Sequence, residues 1–446
     1  MTPTSVPAAL PRITVCVPVW NGEAFVAETL ASIARQTCRD IRVLMSVDRG
    51  DDGSAAICRR FLADRRFELV VQSQRLGWVG NVNFLIGAVE TEFFCITPHD
   101  DLLDEDYLAR LLTLAAGDPA VSTAYSDIAT FGDDHFHIVQ PEVRGDRLRR
   151  LLDVLLNHGH AVAFRGLVRR LGRDDRPWLP TGLVGDFAAD TVWLVDLAGR
   201  GELRRVPGGL CRKRLHGRSA HAGWGRWPLA RRRTAWIDQA ARMATAAARW
   251  IGDRERDRAL VASAAMMRLV GLGAVERPAI AATRVERWHE VAAFAARIHP
   301  LTVPEEPTTI ADTGDAAPLS AARLLATARQ TAAEGRTAEA IALAARAQAA
   351  DPLSGHAAAE RVRLLVRTAK AALADAGPAA ARGPVTAALA VDPEDYHANL
   401  LRAELLLADG ETTEALAVLG RLDRQWPGTR PVAQRLQRFR PPAGPH

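Results

Sequence analysis

Cysteine is scarce and scattered. Cys16, Cys38, Cys58, Cys95 and Cys211 are five in number, widely spaced and never in a Cys-x-x-Cys pair. An odd count without that spacing excludes a disulfide framework and a cysteine-bound zinc site, and predicts free, mostly buried thiols in a reducing compartment. Long apolar runs are missing too, and none reaches the length of a membrane span. The opening "MTPTSVPAALPR" has no basic segment leading into an apolar one, so no secretory leader is expected. A cytoplasmic protein follows, or at most one peripheral to the inner face of a membrane. Lysine is rare as well, and almost all of the positive charge is arginine. The net charge of +5 is mild for 446 residues, and the basic residues fall in short clusters, "RLRRLL", "RKRLHGR" and "ARRRTAW". Such clusters read as solvated faces; no nucleic-acid partner is expected, while an anionic substrate or an acidic membrane face stays open.

The chain is long enough for two or three domains, each with its own core. Its first hundred residues alternate strand-like and helix-like patterns. "ITVCVPV", "IRVLMSV", "FELVVQS" and "EFFCITP" are β-rich runs, and "AFVAETLASIARQ", "AAICRRFLA" and "WVGNVNFLIGAV" between them repeat apolar residues at helical spacing. This predicts an α/β fold with a Rossmann-like, mostly parallel sheet that binds ligands at the carboxyl ends of its strands. Asp48 follows the second strand and Asp100-Asp101 follow the fourth, so both fall on that rim. Farther on, "VSTAYSDIATF" and "HFHIVQ" look antiparallel, "DRLRRLLDVLLNHG" and "GDFAADTVWLVDLAGRG" look helical, and "ELRRVPGGLCRKRLHGRSAH" looks like a strand and a basic loop. The expected boundaries are 1–225 for the α/β domain, 226–300 for a helical extension, 301–318 for a linker and 319–441 for helical repeats. In those repeats an alanine precedes a proline by twelve residues three times, as Ala340 and Pro352, Ala381 and Pro393, and Ala415 and Pro427. Small residues at helix crossings and a proline ending each second helix suit an all-α solenoid that resembles the tetratricopeptide repeat.

The run "FFCITPHDDLL" carries the sharpest chemical signal. Two adjacent carboxylates leaving a buried strand must be hydrated, paired or bound to a cation. A divalent cation with oxygen ligands fits them, one carboxylate holding the ion while diphosphate oxygens take its other positions. The bland alternative is a cap for the next helix, for which Asp104 is the better candidate.

Four segments in order, "ITVCVPVWNGEAFVAETLASIARQT", "VLMSVDRGDDGSAAIC", "RLGWVGNVNFLIGAVETEFFCITPHDDLL" and "AADTVWLVDLAGRGELRRVPGGLCRKRLHGRS", resemble a glycosyltransferase of family 2, the inverting enzymes with the A-type nucleotide-sugar-binding fold. The resemblance spans roughly residues 12–221. It implies that Pro18, Trp20 and Asn21 line the nucleotide base and that Asp48 hydrogen-bonds it, with Asp51 or Asp52 as a second acid and Arg75 near the donor. It also implies that Asp100 contacts ribose or metal and that Asp101 coordinates Mg or Mn, with His99 in place of the usual first acid. By the same resemblance Asp190 is the base that takes the acceptor proton, Asp186 is its reserve, Arg212 or Arg214 pairs with phosphate, and His216 is a metal ligand or phosphate contact.

Together these imply a metal-dependent inverting hexosyltransferase that uses a nucleotide diphosphate sugar, UDP or dTDP being the first candidates. The acceptor is a hydroxyl on a saccharide, lipid-linked glycan or protein, and the repeats recognise that acceptor or a partner protein. A degenerate, non-catalytic transferase domain serving as a scaffold is the competing reading. His99 and the shortened acidic turn favour the scaffold; the joint presence of Asp48, Asp100, Asp101 and Asp190 favours the enzyme.

Overall fold

The computed structural model describes residues 12–437 apart from 159, 253, 270–293, 295–297, 299–316 and 428. Nearly all of the expected linker therefore lies outside the described residues, as does most of the later part of the helical extension. The chain divides into two compact units. One takes in residues 12–138, 160–206 and 210–247, and the other takes in 139–158, 207–209 and the described residues from 248 onward. The sequence reading had cut the chain linearly. Residues 139–158 instead group with the helical unit, and most of the stretch expected to begin the extension groups with the sheet.

In the first unit, β1 (Ile13–Val19), β2 (Ile41–Val47), β3 (Phe67–Val71) and β4 (Phe93–Ile96) pair in parallel in the order β3-β2-β1-β4. Their continuous apolar runs suit strands buried on both faces. The crossovers are α1 (Val26–Ala34), α2 (Ser54–Arg60) and α3 (Gly77–Gly87). Val26, Leu30 and Ile33 of α1 are fully buried, each contributing about 1.5–3 kcal/mol of apolar burial. Because β1 lies between β2 and β4, the strand order reverses there and opens a crevice at the carboxyl ends.

Beyond β4 the sheet is mixed, in the order β8 (Leu167–Arg169), β6 (Val121–Gly132), β9 (Glu202–Leu215) and β5 (Leu102–Leu103), with β7 (His137–Ile138) on β6. The parallel register of β6 with β9 jumps from Ser126↔Val206 to Ile128↔Cys211. The bulge falls at Pro207-Gly208, where proline has no amide to donate and Gly208 adopts φ +112°. Short β5 runs antiparallel to β9, pairing Leu102 with Arg212 and Leu103 with Cys211. Just before β5, the Asp101 carboxylate accepts from the Arg214 amide of β9 at 3.0 Å. The helices α4 (Tyr107–Gly117), α6 (Ala189–Arg200), α7 (Ala220–Gly225) and most of α8 (Leu229–Ile251) complete this unit.

The second unit includes α5 (Arg147–Asn157), α9 (Glu255–Leu269) and, later in the chain, α10 (Ala317–Ala333), α11 (Thr337–Ala350), α12 (Gly355–Ala376), α13 (Pro378–Val391), α14 (Tyr396–Ala408), α15 (Thr412–Gln425) and α16 (Arg430–Gln437). Ala340, Ala381 and Ala415, the alanines of the sequence repeat, are all fully buried. Three helical hairpins turn on left-handed glycines, Gly335, Gly377 and Gly410. The first two repeat prolines are 41 residues apart and the next two 34. The surplus is about two helical turns, and it is taken up in α12, which has 22 residues against 13 in α14.

One buried ion pair pins α5 within this unit: Arg149 donates from Nη2 to both oxygens of Asp351 at 2.9 Å. Removing one partner of such a pair leaves an uncompensated buried charge. Asp351→Ala should therefore cost about 3–5 kcal/mol, read as an earlier midpoint in denaturant melts that follow helical signal; an unchanged midpoint would mean that the pair carries no stability.

Candidate active site

On the rim after β1 and β2, the backbone dictates the partners. The first amides of α3 lack intrahelical acceptors. Asp48, 1% exposed, supplies them: its carboxylate accepts from the Leu76 and Gly77 amides at 2.7 and 3.0 Å. It also accepts from its neighbour Arg49 and pairs with Arg75 at 3.2 Å. Asp48, expected to hydrogen-bond a ligand base, here uses both oxygens to hold the turn. The groups left on the surface are Trp20, 41% exposed, and the Arg75 guanidinium stacked 3.7 Å over its ring.

The loops after β1 and β2 are laced together. Asn21, left-handed at φ +46°, exchanges hydrogen bonds with Asp51. Asp52 accepts from the Glu23 and Ser54 amides at 2.9 and 3.0 Å, and Ser54 Oγ accepts from the Gly22 amide. Burial acts to raise the Asp52 carboxyl, but these hydrogen bonds outweigh it and hold it below its ordinary value. Asp52 is therefore a clasp at the start of α2, not an open donor contact. His99 joins the same lacing: its Nδ1 lies 3.3 Å from the Pro18 carbonyl, and a Cβ on Gly22 would come within 2.4 Å of its ring. A close-packed imidazole thus occupies the place where the resemblance leads one to expect an acid.

The two carboxylates that follow point to different environments. Asp101 is 1% exposed, accepts from Arg165 Nε at 2.6 Å and from the Arg214 amide at 3.0 Å, and burial raises its carboxyl. Asp101, expected as a metal ligand, is here the buried partner of a guanidinium. Asp100 remains on the rim, with Oδ2 2.9 Å from His216 Nε2. Burial would raise Asp100, yet the His216 hydrogen bond and the nearby positive charges hold it below its ordinary value. Arg214 is also committed, to the Asp100 carbonyl and to Glu28 at 2.6 Å, between the rings of Phe25 and Phe131. It buttresses the loop through these contacts. Arg212, like it, lies over Phe131.

Asp190 lies in the first turn of α6, but the cap position is Ala188, with φ +47° and no side-chain cap. The capping role is therefore excluded. Its carboxylate accepts from the adjacent Thr191 amide at 2.9 Å. Burial raises it, while the charges of Arg165 and Lys213 pull the other way without cancelling the rise. Asp186 does not share that helix: it sits before it, left-handed at φ +54°, beside Gly185 at φ +56°. Left-handed non-glycine residues such as Asp186 and Ala188 cost on the order of 1–3 kcal/mol each and concentrate at functional sites. Asp186 is raised by burial alone, and neighbouring Phe187 packs on Trp224 and Trp227.

Two residues of this cluster are absent from the sequence reading. Arg165 sits on a short 3-10 turn, Val162–Arg165, and only the tertiary fold reveals it. Lys213 lay inside the quoted "RKRLHGR", and its rarity was the available signal: the chain has two lysines, Lys213 and Lys370.

Residues 14–172 match the family described as Glycosyl transferase family 2. Over 131 residues the chain is 28% identical to the glycosyltransferase GlyA of Streptococcus pneumoniae serotype 4, covering 29% of this chain and 19% of that one. Over 175 residues it is 30% identical to EpsH of Bacillus subtilis, covering 34% of this chain and 50% of that one. The chain thus spans half or less of the length of either relative. The crystal structure of S. aureus TarS 1–349 in complex with UDP-GlcNAc shares the fold, with a TM-score of 0.51 at 13% identity over 79% of this chain and 91% of that one.

Proposed function

Because residues 14–172 form a family 2 glycosyltransferase domain, we propose that the chain transfers a sugar from a nucleotide diphosphate sugar to an acceptor hydroxyl, with inversion. The observation that carries this reading is the Asp100–His216 pair, with Asp190, a carboxylate raised by burial, near enough that its charge and that of Asp100 both act on Lys213. In a single displacement the acceptor oxygen bonds to the anomeric carbon as the bond to the diphosphate breaks. The acceptor proton must leave as that bond forms, and Asp190 is the group to take it.

Asp100 and His216 would hold a divalent cation, Mg or Mn, with Asp101 committed to Arg165, and among the described residues no group of three such side chains is arranged to hold a metal. Asp100 Oδ2 and His216 Nε2 lie 2.9 Å apart, an oxygen and an imidazole nitrogen that would both face such an ion. Such an ion, when bound, supplies positive charge to the leaving diphosphate. Trp20 with Arg75 offers a stacking surface for a nucleobase. The helical unit, which we read as tetratricopeptide-like, recognises a saccharide, lipid-linked or protein acceptor, or a partner protein. No helix among the described residues is long and apolar enough to cross a membrane.

The UDP-GlcNAc complex of TarS makes uridine the first base to test. A thermal-shift series with UDP, dTDP, GDP and CDP sugars, each with and without Mn, should show a rise in melting temperature for one base that grows with Mn. A folded protein that shifts with none of them would move the assignment to the scaffold reading.

A further inference from the structure

Between Glu202 and Asp238 the chain carries nine arginines, one lysine and no acid. On the strand half of that stretch, acids answer them: Arg204 pairs with Glu202, Arg205 with Asp127 and Arg214 with Glu28. After the strand the compensation stops. No acid among the described residues pairs with Arg218, Arg226, Arg231, Arg232 or Arg233. Arg231 is exposed, its guanidinium lies 4.0 Å from the centre of the Trp227 ring, and its Nη2 would lie 3.2 Å from a Cβ on Gly185.

This ledge is fastened to the turn that leads into Asp190. Asp238, two helical turns beyond Arg231, accepts from the Val184 amide at 3.2 Å, and Arg242, one turn farther, donates to the Gly182 carbonyl at 3.1 Å. One face of α8 therefore lies along residues 182–185. Phe187 packs on Trp224 and Trp227, with ring centres 5.2 and 6.2 Å apart. A cation stacked on an aromatic ring is held in place without being neutralised, and like charges crowded together repel. An anion arriving beside the turn relieves that repulsion and gains charge-assisted hydrogen bonds. A lipid surface takes protruding apolar side chains. Both tryptophans here are half-buried, and Leu229 is the large apolar side chain of the segment that stands out, so a polar anion suits the ledge better.

We propose that Arg231, backed by Trp227 and helped by the neighbouring arginines of the segment, forms the acceptor subsite, and that the acceptor is an anionic saccharide bearing phosphate or carboxylate. The assignment rests on the transferase reading, which makes Asp190 the group that meets the acceptor hydroxyl. The reacting end of the acceptor is then read within the sheet unit, and the helical unit is left for its farther part or for a partner protein.

Calorimetry tests this with maltohexaose, phosphorylated maltohexaose and an oligoglucuronate of similar length, each added to protein holding UDP and Mn, and with UDP titrated separately. Wild type should bind at least one anionic probe about tenfold or more tighter than maltohexaose, and the one it prefers assigns phosphate or carboxylate. Arg231→Gln should weaken that probe by about tenfold and leave UDP within about twofold. Arg346→Gln, which removes another exposed arginine, in the helical unit, should change neither. Equal binding of the three probes, or equal losses in the two variants, would overturn the subsite and leave the donor reading standing. So would binding of phosphatidylglycerol vesicles, lost in Arg231→Gln, by a protein that prefers neither anionic probe; the ledge would then be a membrane contact. An Arg231-dependent preference in a folded protein that binds no UDP would keep the anionic ledge and remove its acceptor role together with the transferase reading.

Discussion

Asp190→Asn should lower kcat by about 10²- to 10⁴-fold while leaving donor affinity within about twofold. Asparagine keeps the size of the side chain and its acceptor oxygen for the Thr191 amide, so α6 should start unchanged; it lacks only the ability to take a proton. The pH profile separates a base from a merely structural acid. Burial places the Asp190 carboxyl above its ordinary value, and the working form of a base is the deprotonated one. In the wild type, kcat should therefore fall as pH drops through that raised pKa, and the acid limb should disappear from the residual activity of the variant. A variant that keeps both its rate and its limb would shift the role to Asp186, also raised by burial but set on a strained turn ahead of the helix.

Adjacent carboxylates Asp100 and Asp101 should fail in opposite ways. Asp101→Asn leaves Arg165 buried without a counter-charge, so the sheet unit should lose about 3–5 kcal/mol, a fall in melting temperature on the order of 10 °C. Asp100→Asn should melt near wild type, since its side chain stays partly exposed and has only His216 to lose. It should instead weaken the Mn-dependent part of UDP binding by about tenfold or more. Thermal melts and UDP titrations with and without Mn distinguish the two. If Asp101→Asn is the variant that keeps its stability and loses the Mn effect, the assignment of the pair is reversed.

The contrast shows where the sequence ceases to be legible. The four parallel strands, their crossover helices and the rim with Asp48, Asp100 and Asp101 follow from local runs and short-range periodicity. So do the helical hairpins, whose repeat alanines lie fully buried as their spacing predicts. What local pattern does not contain is the pairing of β5 with β9, more than a hundred residues apart, which decides which of two neighbouring aspartates faces inward. Arg165 is invisible for the same reason, because nothing near it in the chain marks it as the counter-charge of Asp101. Asp48 is legible on the rim, but nothing local shows that the helix start beside it claims its oxygens, or that Asp52, with Asp51 one of two candidates for the second acid, caps the start of α2. Asp186 was expected one turn ahead of Asp190 on a shared helix; the left-handed Ala188 starts that helix later.

The β5–β9 pairing also sets an order of events during synthesis. Asp100 and Asp101 leave the ribosome early, but Lys213, Arg214 and His216 follow only after another hundred residues. Until then the aspartates lack the strand that completes their surroundings, and β6 presents an open edge along the length that β9 will cover. Nascent chains of this length are the ones most exposed to strand-edge association. A fragment cut at residue 172, where the family match ends, would keep the parallel sheet and both aspartates. It would lack Asp190, His216 and the strand that covers that edge, so it should be sticky and should not bind a nucleotide sugar as the full chain is proposed to do.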